Sequence, residues 1–244
     1  GAFASDHDHC RYEAPRHLSL DLSGVRAVQI DVHSYDVHLI GAAGVTRGEL
    51  TGRACASDSS MLAGLQVTQR REGDQLLIDV GGDNHSFHLF GDSHADLDVT
   101  LSLPSTLPVS LNVGSGEAEV RNVAQLQGSV GSGELDAWQV QGQVKASVGS
   151  GEIEMTDIGS LDLGSVGSGD FKANGIKGDA KVGSIGSGDV TLHNVGGSVR
   201  ADTLGSGDLN VNNVGGDFSL GAKGSGDVDH SGVKGKVSLP KDDD

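Results

Sequence analysis

The chain has 244 residues, 36% of them apolar, 3% aromatic and 39 glycine, with a formal net charge of -17. That length builds one sizeable domain, but with so few bulky side chains its core must be thin and made of Val, Leu, Ile and Ala. The charge argues against nucleic acid and anionic membrane as partners, and nothing approaches the ~18 consecutive apolar residues of a membrane span.

Residues 1–17 read as a flexible N-terminal segment. Within it, Ala2-Phe3-Ala4 has the small-x-small form of a secretory cleavage site, although Gly1 reads equally as an expression scar. If cleavage follows Ala4, His7 stands third behind a free amine, an arrangement able to wrap Cu(II) or Ni(II) in square-planar nitrogen. A frayed terminus is the plain alternative. Cys10 and Cys55 are the only cysteines. In an exported protein one disulfide between them is the economical reading, closing a loop of about 45 residues and contributing roughly 2–4 kcal/mol; two buried thiols in a cytosolic protein are the alternative.

From residue 18 the chain reads as one domain to residue 240, with irregular lead-in coils over 18–112. Residues 18–53 alternate as strands do, and Ser34–Leu39, SYDVHL, reads as a degenerate copy of a later phrase, GSGDVTL. Asp58–Gln66 suits a short helical turn. GLQVTQR and DQLLIDV follow as two strands joined at Arg71-Glu72-Gly73. The least repetitive stretch is Gly81–Asp96, where His85, His88 and His94 lie among Asp83, Asp92 and Asp96. It is either a loop that gathers metal ligands or a solvated polar loop. Its Phe87, Leu89 and Phe90, with Trp138 further on, are candidates for an exposed partner-binding patch. Pro104 and Pro108 then mark a turn between two strands.

The regular part spans 113–237. Val113–Glu117 reads VGSGE, and variants recur at Val130–Glu134, Val148–Glu152, Val166–Asp170, Ile185–Asp189, Leu204–Asp208 and Lys223–Asp227. The acids Glu117, Glu134, Glu152, Asp170, Asp189, Asp208 and Asp227 are spaced by 17, 18, 18, 19, 19 and 19 residues. This period is too short for helical arrays and suits one turn of a β-solenoid. At ~3.3 Å per residue each coil measures roughly 60 Å around, enough for three short sides with glycine corners, and coils stack ~4.8 Å apart. The expected fold is all-β: a right-handed parallel β-helix with about 19 residues per coil and irregular N-terminal coils. Each coil completes its core only against its neighbours. Gly-Ser-Gly reads as a corner device that tolerates unusual backbone angles and close backbone approach. As a phosphate cradle it fails, since no lysine or helix follows and an acid stands where the anion would sit. In-register stacking makes a structural acid ladder whose carboxylates are either capped by corner N–H groups or bridged by a cation, with Ca the obvious one. Lys223, at the apolar position of the last repeat, predicts a final coil open to water. Residues 241–244 form an acidic tail after Pro240, discouraging further strand pairing.

Together, VTLSLPSTLPVSLNVGSGEAEV and the succeeding GSGD coils resemble a bacterial family labelled putative adhesin, a β-strand-repeat domain of unknown function related to the head GIN domain. The likeness covers roughly residues 25–240. It implies a right-handed parallel β-helix in an exported bacterial protein of the periplasm, outer envelope or extracellular space. The same acid in the same place in every coil behaves as a structural residue. No GxSxG elbow is present, and neither cysteine has a nucleophile's setting. The expected function is therefore a non-enzymatic envelope or surface module, adhesin-like or scaffolding, with a protein or glycan partner and no cofactor. The alternative is a carbohydrate-active β-helix that binds or cleaves polysaccharide, in which paired carboxylates serve as acid and base.

Overall fold

The computed structural model describes residues 10–82 and 94–241. In chain order its strands are β1 (Tyr12–Leu20), β2 (Ala27–Val32), β3 (Asp36–Ala42) and β4 (Gly48–Ala56), then helix α1 (Ser59–Gly64), β5 (Val67–Glu72), β6 (Gln75–Val80), β7 (Ala95–Pro104), β8 (Val109–Val113) and β9 (Glu117–Val123). There follow β10 (Leu126–Val130), β11 (Glu134–Val148), β12 (Glu152–Val166), β13 (Asp170–Ile176), β14 (Ala180–Ile185), β15 (Asp189–Val195) and β16 (Val199–Leu204). The chain closes with β17 (Asp208–Val214), β18 (Phe218–Lys223), β19 (Asp227–Val233) and β20 (Val237–Ser238). Strand begins at Tyr12, so the segment expected to be flexible through residue 17 is β1 over its last six residues.

The coils stack in parallel with residue-for-residue register, forming a β-solenoid of about 7 turns. Each regular coil has two walls rather than three sides. One wall runs β7, β3, β9, β11, β12, β13, β15, β17, β19. The other runs β6, β2, β8, β10, β11, β12, β14, β16, β18, β20. β11 and β12 turn the far corner without a break and serve both walls, with register shifts where they bend. Val, Leu, Ile and Ala fill most of the space between the walls, with Phe171, Phe218 and Met155 also fully buried there. The buried hydrophobic residues form one continuous cluster, and none of the described polar or charged residues is buried.

The first coils do not stack in chain order. β2–β3 is sandwiched between β6–β7 on one side and β8–β9 on the other, so Val28 lies beside both Leu76 and Val109, and Asp36 beside both Asp98 and Glu117. Beyond β7 the wall is finished by β4 and β1, both antiparallel, while β5 folds antiparallel on β6. These strands cover the edge that a parallel stack leaves open. A disulfide joins Cys10 to Cys55 with Cα atoms 5.3 Å apart, tying the chain start to β4. Arg16 donates through Nε to Leu65 O at 2.6 Å and through Nη2 to Leu62 O at 2.8 Å, pinning the end of α1. At the other end Val228, Val233 and Val237 are only partly buried. His230 takes the inward position beside Val211 and meets Phe218 edge-on at 5.9 Å, as a coil open to water on one side permits.

Candidate interaction face

The outer surface of the β7-to-β19 wall is three rows of side chains, because alternate residues of every strand face out and neighbouring coils are in register. The first row is the acid ladder, which the structure lengthens from seven members to nine: Asp98, Asp36, Glu117, Glu134, Glu152, Asp170, Asp189, Asp208 and Asp227. Asp36 is the acid of the SYDVHL copy, and Ser34 Oγ lies 3.1 Å from Ser115 Oγ as the corner serines stack. Asp98 follows no Gly-Ser-Gly, and only the Val99-Thr100-Leu101 after it marks the match. The second row is Thr100, His38, Glu119, Asp136, Glu154, Lys172, Thr191, Asn210 and Asp229. In the third, Ile40, Arg121 and Trp138 stand on successive strands.

The glycines flanking each corner serine are required by proximity and not by backbone angle, since none of those glycines has a left-handed φ. A Cβ on Gly133 would sit 2.1 Å from Gly116 O, and one on Gly188 1.9 Å from Gly169 O. Left-handed residues occupy a different column five positions after each ladder acid: Asn122, Gln139, Asp157, Gly175, Asn194, Asn213 and Gly232, with φ from 56° to 83°. Asn213 Nδ2 donates to Asn194 Oδ1 at 3.1 Å, so this column carries its own amide ladder. Asn, Asp or Gly at a fixed offset was the signal for it in the sequence.

Corner capping of the carboxylates is not the general arrangement. The corner amides are spent on carbonyls of the coil beneath: Ser132 N donates to Gly114 O at 2.8 Å and Glu134 N to Gly116 O at 3.0 Å. Among the ladder acids, Asp189 accepts a backbone N–H from Asp208 at 3.1 Å and Asp36 accepts one from Glu117. Glu152 is paired with Lys172 Nζ at 2.7 Å, and His38 lies between Asp98 at 3.5 Å and Glu119 at 3.2 Å. Glu117, Glu134, Asp136 and Glu154 crowd together. Desolvation first, then the charges of Glu134, Glu154, Glu117 and Glu119, push the Asp136 carboxyl up to about 6. Burial, followed by Asp36, Glu134 and Glu119, raises Glu117, and burial with Asp96 and Asp98 raises Asp36. Beside the ladder an open trough of about 530 Å³ runs past the corner serines from Ser34 to Ser168. No three of the described His, Cys, Asp and Glu side chains are grouped to hold a metal ion.

The three rows of this wall carry thirteen carboxylates against Lys172 and Arg121. The two outward rows of the opposite wall carry Asp31, Asp79 and Asp162 against Lys145, Lys181 and Arg200. The molecule is thus not uniformly acidic. Its charge is gathered on one side.

Trp138 stands on the acidic wall, with the Arg121 guanidinium 4.4 Å from its ring centroid. Ile40, in register with Arg121, is 44% exposed. Ile40 and Trp138 stand in one row with Arg121 between them, and Ile40 carried no sequence signal. Phe87, Leu89 and Phe90 lie outside the described residues, as do His7, His85, His88 and Asp92. His94 is described, and its backbone exchanges hydrogen bonds with Ser57. No described helix is long and apolar enough to cross a membrane.

No curated protein sequence matches the chain. Among solved structures it is similar to a putative adhesin from Bacteroides fragilis, at 13% identity and TM-score 0.47 over 94% of this chain and 98% of that one. A putative adhesin from Parabacteroides merdae is similar at 16% and 0.46 over 95% and 97%. A putative lipid binding protein from Parabacteroides distasonis is similar at 17% and 0.47 over 93% and 97%. A family profile, Toastrack DUF4097, matches residues 25–239, nearly the whole stack of coils. The chain belongs to the Toastrack DUF4097 family.

Proposed function

We propose that this protein is a non-enzymatic, exported envelope or surface module that works by interaction, and that the acidic wall is its working face. The observation carrying this reading is the crowding of like charges around Asp136 beside a mixed strip in which Arg121 separates Ile40 from Trp138. Like charges held ~5 Å apart repel, and a partner that brings cations and an apolar anchor relieves the repulsion and covers the strip in one step. Interfaces commonly combine aromatic anchors with a charged rim in this way. The disulfide supports an oxidising compartment. Against catalysis stands the repetition of the ladder, which offers a carboxylate at the same place in every coil; the raised Asp136 carboxyl follows from desolvation and crowding on an open wall.

Trp138 is the only tryptophan, so its fluorescence reports directly on this face. Titration with a peptide alternating lysine and leucine should shift the Trp138 emission at low salt. The shift should vanish near 0.5 M salt, where the Debye length falls to about 4 Å, and weaken at least tenfold in a Glu134→Gln, Asp136→Asn, Glu154→Gln variant. An emission unmoved by cationic peptides and blind to that triple change would remove the reading.

A further inference from the structure

The opposite wall holds a second feature, created by the out-of-order first coils. Along the corner leading into that wall, Ala27 and Pro108 lie between Gln75 and Gln125, because β2 is inserted between β6 and β8. Val28 N bonds Pro108 O at 3.1 Å, and Val109 N bonds Gln125 O at 3.0 Å, so five strands are held side by side across the seam. Two short residues between long ones leave an open groove of about 400 Å³. Across those five strands it extends roughly 19 Å. Its floor is Ala27 and Pro108, and its sides are Gln75, Gln125, Gln127 and Gln143.

The chemistry of this lining differs from the rest of the surface. Of its five glutamines, Gln29 donates to the Asp31 carboxylate at 3.3 Å, while the amides of Gln75, Gln125, Gln127 and Gln143 make no side-chain hydrogen bond among the described residues. Each retains two N–H donors and a carbonyl acceptor. The charged side chain in the lining is Lys145; Asp31 stands next to the lining only through Gln29, and the thirteen carboxylates of the acidic wall face the other way. A groove rich in neutral donors and acceptors has no use for ionic attraction. It is too polar for an apolar ligand, and the strands beneath it are paired on both edges, so no added strand can dock there. A neutral polyhydroxylated chain satisfies it: vicinal hydroxyls accept from and donate to one amide, while the C–H face of a sugar ring lies on Pro108 and Ala27.

We propose that this groove binds a neutral glycan segment longer than one sugar ring. The inference goes beyond the acidic wall and stands apart from it, since it uses other residues and another kind of force. It deepens the polysaccharide-binding alternative without requiring cleavage.

The test follows the glutamine side-chain NH2 resonances of the intact protein by NMR. The probes are hexasaccharides of β-1,4-glucose, α-1,4-glucose and β-1,4-N-acetylglucosamine, with glucose itself as the short arm, each up to about 10 mM, a range reaching affinities near 1 mM. One hexasaccharide should move the Gln75, Gln125, Gln127 and Gln143 signals saturably and at least fivefold more tightly than glucose. Its affinity should be unchanged between low and high salt and in the Asp136→Asn variant, and at least tenfold weaker in Gln125→Ala/Gln127→Ala, whose exposed sites leave the core untouched. The proposal is overturned if no hexasaccharide moves those resonances, if the double variant binds as well as the parent, or if binding disappears with salt. The last outcome would assign the sugar to the acidic face.

Discussion

At the scale of single residues, two columns govern what the repeat tolerates. Gly188 has ordinary backbone angles but no room, with Gly169 O 1.9 Å from where a Cβ would stand. Gly164 sits in the same stack with nothing closer than 3.7 Å. Gly188→Ala must pry two coils apart and should cost about 1–3 kcal/mol or more in urea unfolding, while Gly164→Ala should stay within about 0.5 kcal/mol. The Asp136 carboxyl supplies the pH dependence. Its folded pKa of about 6 lies above the ordinary 3.8, so between those values the folded state holds more protons than the unfolded one. Stability therefore falls as pH rises through that window and is greatest below it. Because Asp136 is partly exposed, solvent screening leaves the effect at roughly 1 kcal/mol or less. The melting curve of Asp136→Asn should rise by about 1–3 °C relative to the parent at pH 7, and the two should converge near pH 4. Equal melting temperatures throughout would mean the acid crowd stores nothing. Seven of the nine ladder acids were legible because they follow a repeated phrase; the left-handed column was missed because its Asn, Asp and Gly residues share only an offset, in a series that Gln139 interrupts.

At the scale of elements, the two ends of the stack are built differently. The N-terminal end is closed by β1, β4, α1 and β5, held by Cys10–Cys55 and the Arg16 contacts. The C-terminal end is β19 and β20, with Lys223 Nζ donating to Gly226 O at 3.2 Å. Replacing both cysteines by serine should destabilise the cap by roughly 2–4 kcal/mol. Hydrogen exchange should then accelerate in β1 and β4 and stay unchanged in β13–β17, since coils a few repeats away feel little of a local loss. Uniform acceleration along the chain would show instead a single cooperative unit. The hairpin of β5 and β6 and the short helix were readable from local signals, a glycine turn and an Asp58 cap that accepts from Ser60 N at 2.7 Å. The placement of β2–β3 was not, because its partners Leu111 and Val120 lie 81 residues away in sequence.

At the scale of the whole molecule, the consequence is polarity. A net charge of -17 suggests an evenly acidic rod, yet the two walls differ by more than ten charges in their outward rows. That asymmetry orients the protein in an electrostatic field, and the two proposed sites lie on walls of different charge. The sequence by itself determined that coils repeat, that they stack in register and that seven of the acids align, because inside and outside are set by a period of two and neighbouring coils by the period of the phrase. Only the tertiary structure decided that two walls suffice, that an early coil is taken into the middle of the first turns, and which face each charge joins. Those outcomes depend on contacts between segments far apart in the chain, whose energies no local pattern records.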